Sequence, residues 1–298
     1  MAAYDVGRIC PGHHFSVSGV SYIGAPVPGT AVYVTRKISD KIKALQDAEN
    51  CLVFAETGID VPEQAGKRHA VVFTDNPQLA YARLAVQLEQ MQRREDSAYR
   101  YHFHKDGYYA SENAVIGDGA YIEPGCMIGH RVTIGRNAVL LKGTVIRNAQ
   151  IGDDFISNEY AVIGANAFTM AEDGNGGKIR IPSLGGVRIG SSVEAGAHDN
   201  ISRGSAGDTV LEDHVRLDAL VHIGHDARLG RNVEVTAGVI VAGFAEIREG
   251  AFLGINSSIR NRVSIGAGTV VGMGAVAAGD AGDGLTVLGN PARPLRKA

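Results

Sequence analysis

The sequence predicts a mainly β protein, a parallel β-helix of six-residue repeats preceded by a small α/β domain. Three observations carry this. First, an aliphatic residue recurs every six positions without a slip from Leu211 through Leu217, Ile223, Leu229, Val235, Val241, Ile247, Leu253, Ile259 and Ile265 to Val271. Second, four positions after each of these, up to Ile265, stands a small or β-branched residue, Val215, Val221 and Ala227 among them. Third, the 39 glycines, few aromatics and absent tryptophan suit short strands joined by tight turns rather than a bulky aromatic core.

Six does not fit the 3.6-residue helix, but it fits a short strand of period two interrupted by a turn. Three such units close a triangular coil of about 18 residues, and coils stack as parallel strands roughly 4.8 Å apart. Each buried leader then contributes about 1.5–3 kcal/mol gross. The same beat runs earlier through Ile116, Ile122, Ile128, Ile134, Leu140 and Ile146, and a third piece holds Ile189, Ala195 and Ile201. Residues 106–298 therefore form the β-helix. The stretch 165–187 breaks the beat with glycines and charges, and reads as an extruded loop that borders the functional cleft.

Residues 1–105 lack the hexad. "AVYVT" (31–35), "CLVFAE" (51–56) and "AVVFT" (70–74) read as strands, and 39–49 reads as a helix between the first two. A longer helix spans 75–94, with Asn76 as its cap, Pro77 in its first turn and Leu79, Leu84, Leu88 and Met91 as an apolar stripe. "YRYHFHKDGYY" (99–109) reads as a linker strand packed on the first coil, and His102 and His104 are only weak metal candidates.

The 298-residue chain suits two domains, and 45% hydrophobic content is that of an ordinary soluble protein. A net charge of −3 gives no nucleic-acid footprint. No apolar run nears the roughly 18 residues that span a bilayer, and the N-terminus does not read as a secretory signal. Cys10, Cys51 and Cys126 are odd in number and widely spaced, which predicts free thiols and the cytoplasm as compartment.

The chemistry concentrates in "VHIGHDARLG" (221–230). Ile223 points inward, so His222 points outward from its strand and His225 falls at a corner. One coil further on, Gly243 stacks on His225, where a glycine leaves its N–H open to a reacting centre. A base with an amide donor one rung away is the equipment of acyl transfer to an amine: imidazole takes the proton and the N–H steadies the oxyanion. Asp226 adjoins His225 in sequence, but corner neighbours need not touch, and the sequence gives it only a minor part. Metal is not expected: a fixed zinc site needs at least three placed protein ligands, and His222, His225, His198 and His214 show no convergence. No phosphate-binding glycine loop is present.

Several segments resemble the UDP-3-O-(3-hydroxyacyl)glucosamine N-acyltransferases of lipid A synthesis. They are "APVPGTAVYV" (25–34), "DNPQLAYARLA" (75–85), the long stretch 178–218, which is the most specific, and "VHIGHD" (221–226). The resemblance implies a left-handed coil, a homotrimer with its cleft between adjacent prisms, His225 as base and Gly243 as oxyanion donor. It further implies a nucleotide-linked amino sugar as acceptor, with His222 positioning substrate and Tyr33 stacking on the nucleotide base. The chain departs from the family in "TRKIS" after Tyr33, in Ser202 for an Asp, and in Arg262 for a second histidine. Its ending, "LTVLGNPARPLRKA", resembles that of CoA-dependent sugar acetyltransferases instead. Acetyl-CoA is accordingly the favoured donor, and a 3-hydroxyacyl carrier protein the alternative, with no tightly bound cofactor. Sugar O-acylation, a non-catalytic sugar-nucleotide binding protein and a zinc hydratase are the competing readings.

Overall fold

Each hexad forms a strand of two residues followed by a four-residue turn in the computed structural model, which describes residues 3–294. The strands stack into three long sheets of ten, eight and ten strands among the described residues. The first face contains His222–Ile223, the second Arg228–Leu229 and the third Glu234–Val235. Pairing is parallel and in register: Ile223 lies on Val241, Leu229 on Ile247 and Val235 on Leu253. Every pair is one 18-residue coil apart, so the period read from the sequence is the circumference of the prism. The leaders line its interior with almost no exposure.

Four coils depart from this length, the last being two residues short, with Val271 on Val287. Ile134 pairs with Ile151, a coil one residue short. Ile189 pairs with Leu211, a coil with four extra residues. Ile151 pairs with Ile189 across the hexad-free stretch. In every case the leader stays inside, because a register slip of one residue would turn the apolar set outward.

The first unit comprises residues 1–98 together with Phe168–Gly185 and Ser205–Gly207; the β-helix unit holds the rest of the chain. A parallel sheet of Gly19–Val20, Thr30–Val34, Leu52–Glu56 and Ala70–Thr74 forms the centre of the first unit. The three longer strands fall where the sequence places them, within a residue. The helix Pro77–Asp96 begins and ends two residues later than the expected 75–94, with the Asn76 side chain accepting from the Leu79 N–H at 3.0 Å. The helix expected at 39–49 is instead a 3₁₀ segment over Arg36–Asp47, interrupted at Ile38 by non-helical angles. Its tighter turn sets Ile42 and Leu45 at three-residue spacing against the sheet, where both are buried.

The stretch 165–187 is not a bare loop. It folds into an antiparallel hairpin, Met170–Glu172 with Lys178–Arg180, closed by the Asp173 carboxylate accepting from the N–H groups of Asn175 and Gly177. Ala171 and Ile181 are buried in one cluster with Tyr81, Ala85 and Leu88. The hairpin thus completes the core of the first unit. The first segment of that unit ends at Ala98, a few residues before the boundary at 105 that the composition suggested. Residues 99–109 form a second antiparallel hairpin, Tyr101–Phe103 with Tyr109–Ser111, which pairs onto Met127–Ile128 and begins the β-helix. All three cysteines are free.

One interior slot of the prism holds a carboxylate. Asp199 occupies a position that elsewhere takes mostly small or β-branched residues, is 1% exposed, and accepts from the N–H groups of Gly196 at 2.7 Å and Val221 at 2.8 Å. Burial outweighs those two donors and pushes its pKa up to about 7. The unfolded value is about 3.9, so between these limits the folded chain keeps a proton that the unfolded chain releases. Stability from this group is full below pH ~4 and is lost as pH rises through 7. Denaturant titrations at pH 5 and pH 8 should show wild type losing about 1–3 kcal/mol relative to Asp199→Asn over that interval. Identical pH dependence in the two proteins would remove the assignment.

Candidate active site

The corner after strand His222–Ile223 brings together residues that are one and two coils apart. His225 is the second residue of the turn. Asp226 follows it in the left-handed region, at φ 59°. Short polar side chains tolerate that conformation best, and here it swings the carboxylate back onto the preceding ring. His225 Nδ1 lies 2.8 Å from Asp226 Oδ2. The Asp226 backbone N–H donates to the hydroxyl of buried Thr209 at 2.9 Å, which anchors the turn. The carboxylate side chain is 6% exposed and the imidazole side chain 24%. Asp226 therefore has a larger part than its sequence position alone suggested.

A carboxylate at Nδ1 fixes the neutral tautomer with its proton on that nitrogen and the lone pair on Nε2. The Nε2 edge stands over Gly243: a β-carbon built on Gly243 would lie 2.7 Å from Nε2 and 2.8 Å from Cε1. Only glycine leaves room for the ring in this position. The carbonyl of Gly243 accepts from the Arg262 N–H at 3.2 Å, and among the described residues its own N–H has no hydrogen-bond acceptor. The arrangement sets the Nε2 edge of the imidazole against the Gly243 backbone.

His222 faces outward on the strand, in register between Asn200 and Ile240. Burial first, and repulsion from His225 second, lower its pKa below that of an ordinary histidine. Tyr33 lies in the first unit, on strand Thr30–Val34, with its ring edge-on to Tyr81 at 5.0 Å. Among the described residues no group of three His, Cys, Asp or Glu side chains is placed to hold a metal ion. A groove of about 620 Å³ on the second face, lined by residues such as Gln150, Arg188, Asp213 and Arg231, does not include His225.

Phe244 escaped the sequence reading, and Arg262 entered it only as a departure from the family's second histidine. Phe244 meets the imidazole edge-on, with centroids 5.3 Å apart and planes at 88°. Arg262 sets its guanidinium 4.2 Å above the Phe244 ring. The signal was available in the spacing: Asp226, Phe244 and Arg262 are 18 residues apart in turn, the coil length that relates His225 to Gly243.

With the geometry in place, similarity to known proteins can be stated. The bacterial transferase hexapeptide family (six repeats) matches residues 113–148. The UDP-3-O-acylglucosamine N-acyltransferase of Bordetella pertussis is 33% identical over 243 residues, which is 70% of this chain and 64% of that protein. The enzyme of that name from Caulobacter sp. (strain K31) is 35% identical over 153 residues, 51% of this chain and 45% of its own length. The chain thus spans less than two thirds of these relatives. Among solved structures, a UDP-N-acetylglucosamine acyltransferase from Campylobacter jejuni matches with a TM-score of 0.58 at 23% identity, over 64% of this chain and 73% of that one. A UDP-N-acetylglucosamine O-acyltransferase from Moraxella catarrhalis matches with a TM-score of 0.55 at 24% identity, over 64% and 73%. These structures establish the fold, a left-handed β-helix. The chain is a hexapeptide-repeat β-helix protein with sequence relatives among the UDP-3-O-acylglucosamine N-acyltransferases.

Proposed function

We propose that the chain transfers an acyl group from a thioester donor to the amino group of a nucleotide-linked amino sugar, with His225 as general base. The observation that carries this is the His225–Asp226 pair standing over Gly243. Nε2 takes the amine proton as the nitrogen attacks the thioester carbonyl. The Gly243 N–H meets the oxyanion of the tetrahedral intermediate. Collapse breaks the carbon–sulfur bond, leaves the amide, and returns the proton from His225 to the departing thiolate. Asp226 holds the tautomer and steadies the transient imidazolium. His222 positions the acceptor, Tyr33 stacks on its base, and the working form is a homotrimer.

The donor needs revision. The C-terminal resemblance favoured acetyl-CoA, but residues 295–298 of that ending lie outside the described residues. The relatives carry the name of an enzyme acting on UDP-3-O-acylglucosamine. That name favours the alternative, a hydroxyacyl group borne on acyl carrier protein, in lipid A synthesis. No helix among the described residues is long and apolar enough to cross a membrane.

Steady-state kinetics of His225→Ala should show a loss of about 10²–10⁴ in kcat; a folded variant with near-wild-type activity would remove the mechanism. Gly243→Ala forces the ring aside and should cost on the order of 10²-fold, the effect expected of a displacement near 1 Å. With UDP-3-O-acylglucosamine as acceptor, 3-hydroxyacyl carrier protein should yield an alkali-stable amide and acetyl-CoA should yield none. The reverse outcome would restore acetyl-CoA, and an alkali-labile product would indicate O-acylation.

A further inference from the structure

The first unit holds a cavity of about 220 Å³ between the 3₁₀ segment Arg36–Asp47 and the short helix Glu63–Arg68. Ile42, Leu45 and Ala65 give it an apolar floor, and the first two are 7% and 1% exposed. These residues pack with Val32, Val34 and Val53 on one face of the parallel sheet, whereas Tyr33 packs with Tyr81 on the other. Alternation along the strand separates the two sides, so the cavity is not the place of Tyr33. Its mouth is cationic. Lys43, Arg68 and Gln64 stand exposed there, and no carboxylate is among the lining residues. On the same two segments Arg36 pairs with Glu56 at 3.3 Å, Lys41 with Asp40 at 3.2 Å and Lys67 with Glu63 at 2.7 Å. Lys37, Lys43 and Arg68 have no carboxylate partner among the described residues, and the last two are the ones at the cavity. Arg68 Nη1 donates to the Gln46 carbonyl at 2.8 Å, which fixes the guanidinium at the rim and ties the two segments together. Its other N–H groups have no acceptor among the described residues.

We propose that this cavity binds a small amphiphilic carboxylate, a medium-chain fatty acid anion, with its chain on Ile42, Leu45 and Ala65 and its head between Lys43 and Arg68. An apolar floor beneath uncompensated cations suits a ligand with an apolar body and an anionic head. The planar fork of the guanidinium matches the two oxygens of a carboxylate, and a short chain suits a volume below the roughly 300 Å³ of drug-sized pockets. Burial of the chain supplies affinity, and the cations supply the choice of head group. Inorganic phosphate has the charge without the body, and a fatty amide has the body without the charge. The site involves no residue of the proposed reaction.

The experiment titrates the full chain with sodium octanoate and follows methyl ¹H–¹³C spectra. The Ile42 and Leu45 signals should shift saturably, while those of Ile223 and Leu229 in the β-helix stay in place. Octanamide should bind about tenfold more weakly, the factor of one lost charge-assisted hydrogen bond. Inorganic phosphate should leave both signals unmoved. Lys43→Glu reverses the charge of an exposed side chain and should weaken octanoate binding by about fivefold. Ala65→Leu fills the cavity and should abolish the shifts; should that variant not fold, Lys43→Glu and octanamide still decide the matter. The proposal is overturned by the absence of a saturable shift at Ile42 and Leu45, or by octanamide binding as tightly as octanoate. Unchanged octanoate binding in Lys43→Glu, or in folded Ala65→Leu, overturns it equally. No turnover is read, so a negative result leaves the role of His225 standing, and an active His225→Ala leaves this site standing.

Discussion

Strands of two residues cannot hold together by their own hydrogen bonds, and this protein uses such strands almost throughout its larger unit. They become stable only because every third hexad returns to the same place. Closure of the coil at 18 residues stacks Ile223 on Val241 and Leu229 on Ile247, and the buried column of leaders supplies the free energy that each short strand lacks. The constraint is strict at the interior and loose at the corners. Coils one residue short or with four extra residues are accepted because the length changes fall in the turns, while the leaders stay inside. Even the diversion between Ile151 and Ile189 leaves the next rung in register.

The candidate site exploits that division. Interior positions are occupied by packing, so the candidate residues lie where side chains leave the prism, His225 at a corner and His222 on a flat face. Stacking gives each corner residue neighbours one coil away at a fixed spacing. His225 gains Gly243 below its Nε2 edge in this way, and Phe244 beside it. The left-handed turn contributes a second element, since it alone directs the Asp226 carboxylate back to Nδ1. The proposed base, the carboxylate beside it and a neighbouring amide thus follow from repeat geometry. Asp199 shows the opposite case, a carboxylate placed in an interior slot, where burial rather than a partner governs its protonation.

The first unit obeys other rules. Its parallel sheet is covered by the helix Pro77–Asp96, but the helix alone does not complete that core. The hairpin that interrupts the β-helix supplies Ala171 and Ile181 to it. The break in the hexad is therefore the place where the chain leaves one architecture to finish another, and then resumes its beat at Val187–Ile189.

The sequence by itself determined the β-helix, its coil length, the inward leaders and the stacking of Gly243 on His225, because each follows from one strict period. The strands and long helix of the first unit were equally legible, through alternation, a cap and an apolar stripe. Tertiary structure decided what a period does not encode. Whether Asp226 reaches His225 depends on the turn's backbone angles, since adjacent residues at a corner can face apart or together. The Phe244–Arg262 stack depends on side-chain directions from separate rungs. The hairpin's membership of the first unit depends on which core its two apolar residues enter, and a stretch rich in glycine and charge reads locally as loop whichever core that is. The 3₁₀ form of Arg36–Asp47 was likewise settled by packing against the sheet, where three-residue spacing buries Ile42 and Leu45 together.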